Sequence, residues 1–270
     1  MNDLIKRSVT GIFLVALILA GVSINRFIFM IIFSAIIVAG LLEFYQIFEK
    51  AGKSPQKISG IVLGVLIFGI NYCIATGFTK PQLMAATVPI VLYIVIAELY
   101  RKHAAPFENI SITFLGIVYI AVPISLLWHF AFRENICLYN PNLILGYFLL
   151  IWTNDTMAYL TGITFGKNKL FERISPKKSW EGAIGGFVFC LLVAYFLSFY
   201  FNNLTVWQWI IFAAITAIFG TFGDLAESML KRSVDVKDSG TLLPGHGGIL
   251  DRFDALFLAV PAIYIYLQFI

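Results

Sequence analysis

Hydrophobic positions along this chain do not alternate with polar ones at the period of a half-buried helix or strand; they run in long blocks. The blocks cover residues 8–24, 27–43, 58–76, 83–99, 112–131, 142–163, 182–201, 206–226 and 251–270. A helix needs about 20 apolar residues to cross the hydrocarbon core of a bilayer, and each block approaches that length. Most of them are apolar on every face, which suits lipid or the inside of a bundle rather than water. The pattern predicts an all-α integral membrane protein, a polytopic bundle of about nine transmembrane helices. The connections are too short to hold a soluble domain. Residues 1–270 therefore read as a single polytopic unit, with N-terminal transmembrane helices over 1–141 and a second half, 142–270, that holds the candidate chemistry.

Composition agrees with the pattern, and charge adds a direction. The chain is 60% hydrophobic and 13% charged, with a mean hydropathy of +0.87. With the N-terminus in the cytoplasm, only Arg26, Lys80 and Arg133 among the 19 basic residues fall on the outer side. That is a strong positive-inside bias, and it emerges only for an odd number of spans, so the C-terminus is expected outside. Lys6 and Arg7 before an apolar run resemble the start of a signal peptide, but no small-x-small cleavage site follows. The first block is read as a helix. The net charge of +4 is spread over the cytoplasmic loops, which points to anionic lipid headgroups and not to nucleic acid. Cys73, Cys137 and Cys190 lie far apart, without metal-ligand spacing. Small-residue faces such as "GAIGG" would suit a homodimer contact.

Carboxylates in or beside apolar helices carry the information about chemistry, because a charge in hydrocarbon costs several kcal/mol unless paired or hydrated. Asp155 lies in "LLIWTNDTMAYLTG", Asp224 in "FGTFGDLAESMLKR", and Asp251 and Asp254 in "ILDRFD". With the orientation above, all four project into one slab at the inner leaflet. Asp224, Glu227, Ser228 and Lys231 stand at i, i+3, i+4 and i+7, one stripe of a helix, and Asp251 and Asp254 share a face of the next. Two helices facing each other with paired carboxylates form a cage for a hard divalent cation that leaves positions open for substrate phosphates. Asp224 and Asp251 are the first candidates as ligands, with Asp155 and Asp254 as weaker ones. The competing reading is that these residues only neutralise Lys231, Arg232 and Arg252.

Between the two helices runs "KRSVDVKDSGTLLPGHGGILDRFD", the densest gathering of charge in the chain. Gly247 and Gly248 let backbone N–H groups approach an anion, and the helix that follows directs its N-terminus at the loop. Beside Lys231, Arg232, Lys237, His246 and Arg252, the turn reads as a phosphate cradle. It is not a Walker A loop, since GxxxxGK[ST] is missing. His246 fits three roles: a general acid, a phosphate donor or a loop-packing residue. A second basic segment, "GKNKLFERISPKKSWEGAIGG", reads as a turn at Ser175–Pro176 before Lys177 and Lys178. It either attracts anionic substrates or only sets orientation.

The stretch Ser228 to Asp254, "SMLKRSVDVKDSGTLLPGHGGILDRFD", resembles the signature of the phosphatidate cytidylyltransferase family, the CDP-diacylglycerol synthases. Ser228, Lys231, Arg232, Lys237, Asp238, Gly240, Leu243, Pro244, His246, Gly247, Gly248, Ile249, Asp251, Arg252, Phe253 and Asp254 meet its fixed positions. "NDTMAYLTG" and "SPKKSWEG" also resemble family segments, so the resemblance covers about residues 150 to 257. The first half resembles the family only as a set of apolar spans.

The resemblance implies CMP transfer from CTP to phosphatidic acid, giving CDP-diacylglycerol and pyrophosphate in phospholipid biosynthesis, with Mg²⁺ and one or two cations in all. It implies a multi-pass protein of the cell inner membrane with its site at the cytoplasmic leaflet. Asp224, Asp251, Lys237 and His246 are then the catalytic candidates. Lys231, Arg232, Lys237, Gly247, Gly248, Arg252, Lys177 and Lys178 would hold phosphates. Two rivals stand beside this reading. A CTP-dependent polyprenol kinase would lack the full "PGHGGILDRFD" string, and a transporter would carry polar residues through the whole bilayer depth.

Overall fold

The computed structural model describes residues 3–133, 138–236, 239–240 and 247–270, with side chains from residue 11 onward. The helices α1 (Asp3–Ser23), α2 (Arg26–Lys50) and α3 (Lys57–Ala75) come first. A 3₁₀ turn, Pro81–Thr87, leads into α4 (Val88–Arg101). Helix α5 (Pro106–Gly116) runs through a π turn, Ile117–Ala121, into α6 (Val122–Ala131). Then follow α7 (Asn142–Phe165), the strands β1 (Lys169–Phe171) and β2 (Ser175–Ser179), and α8 (Trp180–Tyr200), α9 (Val206–Ser233) and α10 (Leu250–Gln268). Pro123 explains the π turn: its missing N–H removes one rung of the helical ladder, and the wider turn absorbs the break.

Among the described residues seven helical segments are long and apolar enough to cross a membrane, beginning with Arg26–Lys50 and ending with Val206–Ser233. The remaining two rods fall outside that set. The described apolar part of α1, Gly11–Ser23, is short, and α10 carries Asp251, Arg252 and Asp254 in its first two turns.

Local chemistry sets several starts. Asn25 caps α2 by accepting from the amides of Phe27 and Ile28 at 2.9 and 3.0 Å. Thr205 and Gln208 form a reciprocal capping box at α9.

Contacts between the connections sort the rods into two ends. At one end Tyr139 donates to the carbonyl of Val22 (2.7 Å), Arg133 to that of Ile270 (2.8 Å) and Tyr266 to that of Gln208 (3.2 Å). At the other end Ser54 donates to Asn109 (2.9 Å) and the amide of Leu250 to Glu43 (3.0 Å). Val22, Arg133, Tyr139, Gln208 and Ile270 thus gather at one end of the bundle, and Glu43, Ser54, Asn109 and Leu250 at the other.

The structure corrects four details of the sequence reading. Helix α5 starts at Pro106, six residues before the block at 112. Its polar first turn looked like loop, but Asn109 is buried and bonded to the α4 side chain Glu98 at 2.9 Å. Helix α9 continues to Ser233, because backbone hydrogen bonding persists through charged residues once the helix leaves apolar surroundings. The bundle also contains a small antiparallel hairpin, β1 with β2. Ser175–Pro176 belongs to its second strand and not to a turn, which proline tolerates at the edge of a two-stranded ribbon. Finally, the "GAIGG" face is taken up inside the subunit. A Cβ on Gly182 would lie 2.7 Å from the carbonyl oxygen of Ala158, and one on Gly186 2.7 Å from that of Asn154, both on α7. The homodimer contact expected of it is occupied by α7.

Glu98 organises the α3–α4–α5 junction. Buried to 3% exposure, it accepts from Gln56 (2.7 Å), Asn109 (2.9 Å) and Arg101 (2.8 Å). A carboxylate offers only acceptors, which suits three converging donors. Glu98→Gln puts an amide donor among them and should cost about 1.5 to 3 kcal/mol. Thermal denaturation in detergent should show a Tm lower by several degrees. An unchanged Tm would mean that the junction does not depend on the charge.

Candidate active site

Four elements meet at the end of the bundle that holds Glu43. Helix α7 supplies Asn154 and Asp155, and β2 supplies Lys177 and Lys178 just before α8. Helix α9 contributes Thr221 and Asp224, and α10 contributes Asp251, Arg252 and Asp254. All of these line one cavity of about 690 Å³. Close helix approach makes the meeting possible: a Cβ on Gly223 would come within 2.5 Å of the carbonyl oxygen of Asp254 and 2.9 Å of the Ala255 Cα. Only glycine at 223 lets α9 lie that tightly on α10.

A second cavity, of about 240 Å³, adjoins the first and shares Asp155, Asp251, Arg252 and Asp254 with it. Its remaining lining includes Leu14 and Ile18 of α1 and Phe148 and Ile151 of α7. Asp155, Asp251, Arg252 and Asp254 thus border both spaces, and the larger one alone also carries Lys169, Lys177 and Lys178.

Each of the two leading carboxylates already has a cation beside it. Lys178 forms an ion pair with Asp224, which ties the hairpin to α9. Lys231 bridges Glu227 of its own helix (2.5 Å) and Asp251 of α10 (2.6 Å). The i, i+3, i+4 stripe exists as read, with Ser228 donating to Asp224 at 3.5 Å. The partners differ from the expectation, since Lys231 turns to carboxylates and not outward to a phosphate.

The loop departs further from the sequence picture. Gly247 has φ +80°, a left-handed conformation that glycine adopts without strain. The α10 end was expected to offer free amides to an anion. Instead Asp251 Oδ2 accepts from the amide of Gly248 (2.9 Å), the hydroxyl of Ser239 (2.8 Å) and the amide of Ser239 (3.3 Å). The amide of Leu250 donates to Glu43. Those amides are engaged within the fold. Arg232, Gly247 and Gly248 do not line the large cavity, and Arg232 donates to the Val236 carbonyl at 3.4 Å. Lys237, Asp238, Pro244 and His246 lie outside the described residues.

Three polar residues of this region escaped the sequence reading. Glu227 was assigned to the stripe but not to the interior, where it lies at 2% exposure. Asn154 lies at 2%, lines the large cavity and keeps a buried Oδ1 without a hydrogen-bond partner. Glu43 of α2 was the last residue of an apolar block. The signal that exposed Asp155, a carboxylate within a hydrophobic run, was present in "AGLLEFYQIF" as well.

No group of three or more His, Cys, Asp or Glu side chains gathers into a metal-binding cluster among the described residues. The donor set nevertheless suits a magnesium ion, which takes one or two carboxylates and completes its shell with water and substrate phosphates. Asp155, Asp224, Asp251 and Asp254 at one cavity supply such oxygens.

Comparison with known sequences places this geometry. The profile described as "Cytidylyltransferase family" matches residues 5–270. The phosphatidate cytidylyltransferase of Bacillus subtilis (strain 168) is 31% identical over 269 residues, 98% of this chain and 97% of that protein. That of Rickettsia felis is 36% identical over 225 residues, covering 80% of this chain and 95% of its own. The Staphylococcus haemolyticus phosphatidate cytidylyltransferase is 39% identical over 167 residues, 62% of each chain.

Proposed function

The chain belongs to the cytidylyltransferase family, and on that premise we propose that it transfers CMP from CTP to phosphatidate, giving CDP-diacylglycerol and pyrophosphate. One observation carries the reading beyond the name: two adjoining cavities share Asp155, Asp251, Arg252 and Asp254, one lined also by lysines and the other by α1 and α7 side chains. A nucleotide triphosphate fits the larger cavity with Lys169, Lys177 and Lys178 on its walls. A lipid phosphate fits the smaller cavity, where α1 and α7 give acyl chains a greasy approach. The two reactants then meet at Asp155, Asp251, Arg252 and Asp254, which border both spaces.

In the reaction, a phosphate oxygen of phosphatidate attacks the α-phosphorus of CTP. The bond from that phosphorus to the bridging oxygen of the β-phosphate breaks, and its electron pair leaves with pyrophosphate. Chemistry of this type depends on positioning and charge neutralisation more than on covalent participation by the protein. Lys177, Lys178 and Arg252 hold and neutralise phosphate oxygens in this reading. Lys178 pairs with Asp224 and exchanges that partner for the triphosphate in this reading. Lys231 keeps Glu227 and Asp251 compensated and aligned. Arg232 at the end of α9, with Lys237 and His246 further along the sequence, are the remaining candidates for phosphate contact in this reading. Asp224 and Asp251 are the first residues to hold Mg²⁺, with Asp155 and Asp254 beside them. When bound, the ion neutralises phosphate charge and supports the leaving pyrophosphate.

The test is turnover by purified protein given labelled CTP, phosphatidate and Mg²⁺. Labelled CDP-lipid with stoichiometric pyrophosphate is expected. A phosphorylated prenol would transfer the assignment to a lipid-alcohol kinase, and no turnover with any lipid acceptor would overturn it.

We place the site at the cytoplasmic leaflet of a cell inner membrane, with nine passes, the N-terminus inside and the C-terminus outside. The positive-inside bias supports this. Cysteine labelling of intact cells should find positions near 55, 104 and 172 protected, and positions near 25, 79, 203 and the C-terminus accessible. A protected C-terminus would eliminate the nine-pass arrangement.

A further inference from the structure

Glu43 sits in the half of the chain that the family signature does not touch. It lies on α2 at 1% exposure, in surroundings where a carboxylate is costly unless it is compensated. No lysine or arginine pairs with it among the described residues. Its Oε2 accepts the amide of Leu250 at 3.0 Å, at the first residue of α10, so its charge faces the positive end of that helix dipole. Its Oε1 is buried without a hydrogen-bond partner.

The carboxylate also lies between two glycines from opposite arms of the signature loop. A Cβ on Gly240 would meet Glu43 Oε1 at 2.7 Å and its Cδ at 2.9 Å. A Cβ on Gly248 would run into Oε2 and lie 2.8 Å from Cδ. Asp251 knits the same two arms from the other side through Ser239 and the Gly248 amide. Segments 239–240 and 247–250 are thus clasped between Glu43 and Asp251.

We infer that Glu43 is a positioning residue for the reaction, holding both arms of the phosphate-binding loop and the first turn of α10 so that Asp251 and Arg252 face the nucleotide. The inference rests on the proposed cytidylyl transfer for what is positioned, but the clasp itself can be read without turnover. It also gives Gly240 and Gly248 a cause. A side chain at 240 would strike the Glu43 carboxylate, and one at 248 would strike both Ser239 Oγ and that carboxylate, whatever contact the loop makes with phosphate.

Hydrogen–deuterium exchange on the purified protein and steady-state kinetics test it together. In Glu43→Ala the peptide covering 247–256 should exchange about 10-fold faster or more, as expected for loss of a hydrogen bond to a buried charge. The CTP KM should rise by a similar factor. Glu43→Gln keeps an acceptor oxygen for the Leu250 amide and should recover most of both losses.

A merely structural role would lower Tm and the active fraction and leave the CTP KM in place, and that result would overturn the inference. Wild-type exchange in Glu43→Ala would also overturn it. Should Glu43→Ala fail to fold, Gly240→Ala carries the test with α2 unaltered. The CTP KM should rise in that variant and fall back when Glu43→Asp, shorter by one methylene, is added. A wild-type CTP KM in Gly240→Ala, or no recovery on adding Glu43→Asp, would sink the clasp. If the wild-type protein itself transfers no cytidylyl group, the functional proposal fails, while the exchange result still decides whether Glu43 holds the loop.

Discussion

Asp251→Asn should reduce turnover at saturating Mg²⁺ by two to three orders of magnitude, about 2.7 to 4 kcal/mol of transition-state stabilisation. Both oxygens of this carboxylate are in use: Oδ1 receives Lys231 at 2.6 Å, and Oδ2 receives the Ser239 hydroxyl and the Gly248 amide at 2.8 and 2.9 Å. An asparagine replaces one acceptor with an NH₂ that must face a donor, and it removes the charge that a cation and Lys231 both need. Asp224→Asn should lose a similar factor for a narrower reason. It deprives Lys178 of its partner and removes one hard oxygen from the shared cavity. Neither change adds a charge to an apolar block, so membrane insertion should be unaffected. If either purified variant kept more than about a tenth of the wild-type rate, a loss under ~1.4 kcal/mol, its assignment as a ligand would be wrong.

Lys231→Met should damage stability and activity together. Among the described residues, this lysine is the cation that pairs with both Glu227 and Asp251, whose side chains are 2% and 14% exposed. Breaking a buried pair by removing one member leaves an uncompensated charge, at a cost of about 3 to 5 kcal/mol. Thermal denaturation in detergent should show a large drop in Tm, and turnover should fall below detection. Adding Glu227→Gln should restore much of the Tm, because the most deeply buried charge is then gone. It should not restore turnover, because Asp251 still lacks its partner. Lys231→Arg should be intermediate, since a planar guanidinium does not replace a compact ammonium held between two carboxylates. A Tm unchanged in Lys231→Met would show that the three-residue bridge contributes nothing.

A long apolar run has few alternatives to a helix in lipid or in a bundle, so the number and order of the blocks were legible in the chain. Their ends were less so. Blocks were delimited by polarity, whereas helices end where backbone hydrogen bonding ends, and α2, α5 and α9 all extend into polar sequence. The candidate carboxylates were legible for the same reason as the blocks: Asp155, Asp224, Asp251 and Asp254 are anomalies against an apolar background. In the structure all four line one cavity.

Sequence by itself determined the class of the fold and the residue types at the candidate site, because hydropathy and charge are properties of single positions and short windows. Tertiary structure alone decided who pairs with whom. Lys231 turns inward to Glu227 and Asp251, the amides of Gly248 and Leu250 go to Asp251 and Glu43, and the glycines of "GAIGG" press against α7 and not against a second copy. These outcomes depend on which faces of remote helices meet, and on contacts of under about 3 Å that no window of sequence contains. Glu43 shows the division most plainly. It stands 207 residues before Leu250, whose amide it accepts, and only the packing of α2 beside α10 gives that carboxylate a purpose.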